Sequence, residues 1–122
     1  MNESCPKHNS NLLKLESFKE LKYDWNGNGA EPIPEKVISE CKQLFLLSDL
    51  PLSFEFFPTA AKSIQIEFEK ENKDYLEINI YEDRIEVFQI INKKETEHTM
   101  EISKKHEVEQ IVTKFYNTEM EE

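Results

Sequence analysis

The chain has 122 residues, of which 38% are hydrophobic and 33% are charged. Its 25 acidic and 15 basic residues give a net charge of −10, which repels phosphates and argues against a nucleic-acid partner. No apolar run reaches the ~20 residues of a membrane span, and no signal peptide is recognisable, so we expect a cytoplasmic protein without a membrane partner.

Two amphipathic helices are predicted in the first part of the chain. Residues 1–10 lack periodicity and are predicted to be a flexible N-terminus. From about Asn11, apolar residues recur every three positions at Leu12, Leu15, Phe18 and Leu21. A second helix is predicted to begin near Pro34 and to end before Pro51. Its apolar face holds Val37, Ile38, Cys41, Leu44 and Phe45.

The loop between these helices concentrates residues with unusual backbone preferences. It holds the only tryptophan, Trp25, both glycines, Gly27 and Gly29, and the prolines Pro32 and Pro34. Glycine allows positive φ, and proline fixes φ and removes a donor. We therefore expect a rigid loop held by the indole, which either forms a structural corner or binds a ligand.

After residue 52 the pattern changes from helical to alternating, which is typical of strands. Strands are predicted at residues 53–57, 63–69, 75–81, 84–91 and 96–102. Phe88 and Ile90 break the alternation, which indicates a bulge or a side covered by a helix. His98 falls on the apolar side of the last strand and is expected to be a partly buried histidine.

A final helix is predicted to begin at Ser103 with Val108, Ile111, Val112 and Phe115 on its apolar face. The pattern predicts one α+β domain at residues 11–117 and an acidic tail at 118–122. In this domain, two N-terminal helices precede an antiparallel meander of four or five strands, and a C-terminal helix packs on one face of the sheet.

Three segments together resemble a group of small, uncharacterised bacterial and phage proteins with a Trp-Asp/Asn-Gly-x-Gly-Ala-x-Pro loop. The matching segments are residues 25–33, the Pro58-Thr59 pair with residues 64–68, and residues 75–78, within a span of about 12–90. Lys62 stands where a glycine is usual, and Phe68 replaces the usual tryptophan. Genes of this group often lie near toxin–antitoxin or mobile-element genes, so the resemblance supports the α+β fold and implies an interaction role. It carries no catalytic residue.

No constellation of residues predicts catalysis, a metal site or a cofactor. None of the three histidines lies in a nucleophile motif. Cys5 and His8 have the spacing of half a metal knuckle, but no second pair follows. Cys41 is expected to be a reduced core residue, in keeping with a reducing compartment. The sequence therefore favours a non-enzymatic role over an enzymatic one.

Glutamates on the polar side of the predicted strands form the most distinctive surface feature. Glu67, Glu77, Glu86 and Glu101 would align into an acidic stripe across the sheet. This stripe is a solvated face, a surface for a basic protein partner, or a metal-binding or glycosidase-type carboxylate pair. Charge on a solvated sheet face is ordinary, whereas like charges on neighbouring strands destabilise a sheet, which is an argument for the partner surface.

Aromatic residues offer anchors for such a partner. Three phenylalanines in residues 54–57 cannot all point to one side of a strand, so they fill the core or form an association patch. Tyr81 lies on the same side as the glutamates. The sequence thus predicts an acidic protein-binding module, similar to an antitoxin or immunity protein, that takes a basic partner or forms a homodimer. The alternative is a small-ligand or enzymatic site at the loop, using Asp24, Glu31 and His98.

Overall fold

The structure is a computed structural model that describes residues 6–46 and 54–117, with side chains from residues 11–44 and 54–117. Its helices are α1 (Pro6–Ser17), α2 (Glu35–Leu46) and α3 (Val108–Asn117), with 3-10 turns at Phe18–Glu20 and Ile102–Glu107. Its strands are β1 (Glu55–Pro58), β2 (Ile64–Glu69), β3 (Tyr75–Ile80), β4 (Arg84–Ile91) and β5 (Lys94–Glu101). The α+β class and the antiparallel meander predicted from the sequence are confirmed.

The five strands follow one another in the order β1-β2-β3-β4-β5, each antiparallel to the next. Alternating residues of β2, β3 and β4 place their apolar side chains on one face, which we call the inner face. The buried inner-face residues are Ile64, Ile66, Phe68, Leu76, Ile78, Ile80, Ile85 and Val87. Short connections and a period of two residues fix this register, because a slip by one residue would expose the whole apolar set.

The helices supply the second layer of the core. Leu15 and Phe18 from the first helical segment, Val37 and Cys41 from α2, and Phe115 from α3 are all buried. Helix α1 (Pro6–Ser17) includes five residues that precede the predicted start at about Asn11. The α2 prediction is accurate at its start, and Pro51 lies outside the described residues.

The Phe54–Phe57 cluster is divided between the two faces of β1. Phe54 and Phe56 are buried in the core, with their ring centroids 5.3 Å apart. Phe57 is half-buried on the other side, where the Lys14 ammonium lies 4.9 Å from its ring centroid. Core filling therefore accounts for two of the three rings.

Two predictions for β4 and β5 are wrong. Pairing between the strands is continuous from Arg84–Glu101 to Ile91–Lys94, so no bulge forms at Phe88 or Ile90. Both side chains lie on the outer face of the sheet and are half-buried. His98 is exposed although it lies opposite buried Val87, because the helical layer does not cover the inner side of β5 at this position.

Left-handed backbone marks several of the turns. Asn92 and Lys93 both have positive φ, 53° and 68°, as a two-residue type I′ hairpin requires. Lys62 has φ of 65° in the turn between β1 and β2. Glycine adopts this conformation without strain, whereas a lysine incurs a steric cost there.

A buried ion pair joins two turns of the sheet to helix α3. Lys70 Nζ lies 3.8 Å from Asp74 Oδ2 and donates a 2.7 Å hydrogen bond to the carbonyl oxygen of Phe115. The other carboxylate oxygen of Asp74 accepts a 3.0 Å hydrogen bond from the backbone N–H of Asn92. The side chains of Lys70 and Asp74 are only 6% and 7% exposed. Each buried charge is therefore compensated by the opposite charge of its partner.

Within the described ranges, no helix combines the length and the apolar character that crossing a membrane requires.

Candidate functional site

The outer face of the sheet carries a concentration of negative charge. The strand register brings the following glutamates to this face: Glu55, Glu67, Glu69, Glu77, Glu86, Glu95, Glu97 and Glu101. The four glutamates predicted as partner-binding residues are among them. Antiparallel pairing with short turns therefore places distant segments of the chain on one acidic surface, which we call the acidic face.

One row across the acidic face sets carboxylates directly opposite one another. Glu67 of β2 lies opposite Glu55 of β1 on one side and Glu77 of β3 on the other. The row continues through Phe88 of β4 to Glu97 of β5. Like charges directly opposite one another cost a few tenths to about 1 kcal/mol per pair. The fold keeps this row in spite of that cost.

In the described part of the chain, neutral side chains and not cations contact the carboxylates of Glu67 and Glu77. Glu67 accepts a 2.6 Å hydrogen bond from the side-chain amide of Gln65. Glu77 accepts 2.9 Å hydrogen bonds from the Tyr75 hydroxyl and the Asn79 amide, one on each oxygen. These bonds orient the two carboxylates without neutralising them. A cationic partner would therefore meet two fixed negative charges.

Tyr75 reports the negative potential of this surface. Burial raises the pKa of its phenol, and the hydrogen bond to Glu77 and the charges of Glu77 and Glu67 raise that pKa further. The phenol therefore stays protonated and keeps donating to Glu77 well above neutral pH. Sequence reasoning missed Tyr75, although its alternation with Glu77 and Asn79 along β3 is visible in the sequence.

Arg84 neutralises one end of the acidic face. Its Nε donates a 2.9 Å hydrogen bond to Glu86, and its guanidinium lies 3.8 Å from the centroid of the Tyr81 ring. Glu101 lies opposite Arg84 in the register. Two of the four predicted glutamates, Glu86 and Glu101, thus lie beside a cation, and Tyr81 has one ring face covered. The uncompensated charge is centred on Glu67 and Glu77.

Phe88 lies between carboxylates at the centre of the acidic face. Its cross-strand neighbours are Glu77 of β3 and Glu97 of β5, and its ring centroid is 6.3 Å from that of Tyr75. A shallow depression of about 270 Å³ lies here, lined on the outer side by Glu77, Asn79, Glu86, Phe88, Glu97 and Thr99. An aromatic ring flanked by carboxylates suits a lysine or arginine side chain, since both features attract cations.

The loop at residues 23–34 uses its polar groups on itself. The side-chain oxygen of Asn26 accepts from the backbone N–H groups of Asn28 and Ala30, and Asp24 accepts from that of Gly29. Trp25 is half-buried against the core, and its Nε1 donates a 2.8 Å hydrogen bond to the Glu31 carbonyl. Gly27 and Gly29 have φ of 78° and 82°, as expected.

These contacts favour the structural interpretation of the loop. The oxygens of Asp24 and Asn26 that would recognise a ligand already accept hydrogen bonds from the loop backbone. Pro32 lies beyond the turn and is exposed, as is Glu31. The loop therefore fixes the path from the first helical segment into α2.

The described residues outside the acidic face offer neither a reactive thiol nor a metal-binding cluster. Cys41 is a buried free thiol, and burial raises its pKa, so it is unreactive at neutral pH. In the described part of the chain, no three His, Cys, Asp or Glu side chains are grouped so that they could hold a metal ion.

Comparison with known proteins leaves the acidic face as the main guide to function. No family model, no curated protein and no solved structure matches the chain. The resemblance of the loop segment to bacterial and phage proteins therefore stays a prediction.

Proposed function

We propose that this protein is a non-enzymatic, acidic binding module that docks a basic protein partner on the acidic face of its sheet. The observation that carries the proposal is the Glu67–Glu77 pair, in which like charges stand opposite one another and the described hydrogen-bond partners are neutral. Folding alone would favour other residues there, because this arrangement costs stability. A basic partner would convert that cost into binding free energy.

The acidic face combines long-range attraction with a short-range anchor. The net charge of −10 should raise the rate of association with a basic partner. This increase in rate becomes smaller as salt screens the charges. The Phe88 ring and its depression would then receive one cationic side chain of the partner. On this hypothesis the protein is an antitoxin-like or immunity-like module that acts in the cytoplasm.

A capture experiment with matched charge variants tests the proposal. The full chain is immobilised as wild type, as Glu67→Gln/Glu77→Gln and as Glu20→Gln/Glu71→Gln, and proteins retained from the source organism's lysate are quantified. Both variants lose two negative charges, but Glu20 and Glu71 are exposed residues outside the sheet strands.

The expected result is a basic protein retained by the wild type and by the Glu20/Glu71 variant, with a loss of about tenfold or more for the Glu67/Glu77 variant. Equal retention by both variants would show that only net charge matters, and would contradict docking on the acidic face.

A further inference from the structure

Among the residues that the structure describes, strand β5 forms an open edge of the sheet. It pairs with β4 on one side and ends the strand order, and seven of its eight residues are exposed. An edge strand has unpaired backbone N–H and C=O groups, so it can accept a further strand. At eight residues β5 is as long as β4, which allows several backbone hydrogen bonds to an added segment.

The opposite edge differs from β5. Strand β1 has four residues and ends in Pro58, which has no N–H group to donate. Lys14 of α1 also reaches this edge, since its ammonium is 3.7 Å from a Glu55 carboxylate oxygen and 4.9 Å from the centroid of the Phe57 ring. One edge of the sheet is thus short and covered, whereas β5 is long and open.

A second copy of the chain is a poor occupant for this edge. Two β5 strands related by a two-fold axis must pair outer-face residues with outer-face residues. Every antiparallel register of this kind that pairs five or more β5 residues then opposes Glu97 to itself, Glu95 to Glu97, Glu95 to Glu101, or Glu97 to Glu101. Glutamates directly opposite one another disfavour each arrangement.

The same glutamates favour a cationic occupant. An added strand would bring every second side chain beside Glu95, Glu97 and Glu101 on the acidic face. Lysine or arginine at those positions would face carboxylates, and the one beside Glu97 would lie nearest to the Phe88 depression. The alternate side chains would lie beside exposed Thr96 and His98, where small or β-branched residues fit.

We infer that the free edge of β5 binds an extended segment of a basic protein partner as a sixth strand, with Lys or Arg at alternate positions. This inference rests on the proposed function and names the form of the partner that the acidic face takes. Backbone hydrogen bonds would supply affinity, and the glutamates would select the cationic side chains.

Two peptide probes separate backbone pairing from simple charge attraction. The first is a capped peptide as long as β5 in which Lys alternates with Val or Thr. The second has the same sequence with every backbone amide N-methylated, which keeps the charges but removes the hydrogen-bond donors. Their affinities for the full chain are measured at low salt, together with hydrogen exchange of the β5 amides.

The expected result is that the unmethylated peptide binds about tenfold or more tightly than the methylated one, because several backbone hydrogen bonds form only with the first probe. It should also slow exchange of the β5 amides. Equal affinities with unchanged β5 exchange would overturn edge pairing and leave docking on the acidic face intact. If neither peptide binds, edge pairing is overturned as well, and the capture experiment with Glu67→Gln/Glu77→Gln decides the proposed function independently.

Discussion

Two single residues, Lys62 and Tyr75, lie in environments that are unfavourable for their residue type or for their charged form. Lys62 has φ of 65°, and an L-residue in this conformation costs roughly 1–2 kcal/mol. Tyr75 donates to Glu77 in a field that opposes its ionisation. Each position allows a prediction with a defined sign.

Replacing Lys62 with glycine should raise the free energy of unfolding by about 0.5 kcal/mol. Relief of left-handed strain outweighs the greater chain entropy of glycine in the unfolded state. Urea denaturation of the two proteins measures the difference. Lys36→Gly in the first turn of α2 is the control, and it should lower stability by about 1 kcal/mol. Equal losses for both variants would contradict strain at Lys62.

Tyr75 should make the fold less stable at alkaline pH. Its pKa is raised in the folded protein, so its stabilising contribution is fully present below the unfolded value of about 10. As the pH rises through that value towards the folded pKa, the unfolded chain loses its proton first and stability falls. Urea denaturation across this range should show a steeper loss for the wild type than for Tyr75→Phe. Identical slopes would show that neither burial nor the carboxylates of Glu77 and Glu67 raise the pKa of Tyr75 in the folded protein.

At the scale of elements, the turns and the helices depend on buried polar contacts as well as on apolar packing. Lys70 and Asp74 connect the β2–β3 turn, the β4–β5 turn and the end of α3. Removing one member of such a pair leaves the other charge buried and uncompensated.

Lys70→Met should therefore lower the free energy of unfolding by about 3 kcal/mol. Lys73→Met, an exposed lysine of the same turn, is the matched control and should change it by less than about 0.5 kcal/mol. A double variant, Lys70→Met/Asp74→Asn, should lose less than the sum of the single changes. Thermal denaturation followed by circular dichroism distinguishes these cases. Additive losses would show that the two residues act independently.

At the scale of the whole molecule, alternation along each strand was sufficient to predict the sheet and its acidic face. Glu67, Glu77 and Glu86 were placed correctly because their apolar neighbours, such as Ile66 and Ile78, alternate with them in the sequence. The alternation breaks at Phe88, and local pattern alone does not show whether such a residue faces the core or lies among outer glutamates. The strand register shows that Phe88 lies between Glu77 and Glu97 on the outer face. Register depends on turn geometry, which the alternation pattern does not contain.

The sequence pattern also could not predict that β5 is exposed on both faces. His98 alternates with polar residues as a core residue would, but burial depends on how far the helices extend across the sheet. The positive φ angles of Gly27 and Gly29 in the loop at residues 23–34 agree with the sequence prediction. The internal hydrogen bonds of this loop, from Asn26 and Asp24 to its own backbone, could be found only with coordinates.

The central claim is that the acidic face, and no other surface, receives the basic partner. Mapping amide chemical shifts of the full chain on titration with the captured partner tests this claim most directly. We expect the largest changes at outer-face residues of β2 to β5, including Glu67, Glu77, Phe88 and Glu97, and weaker binding at high salt. Changes confined to the loop at residues 23–34 or to α3, with affinity insensitive to salt, would contradict the central claim.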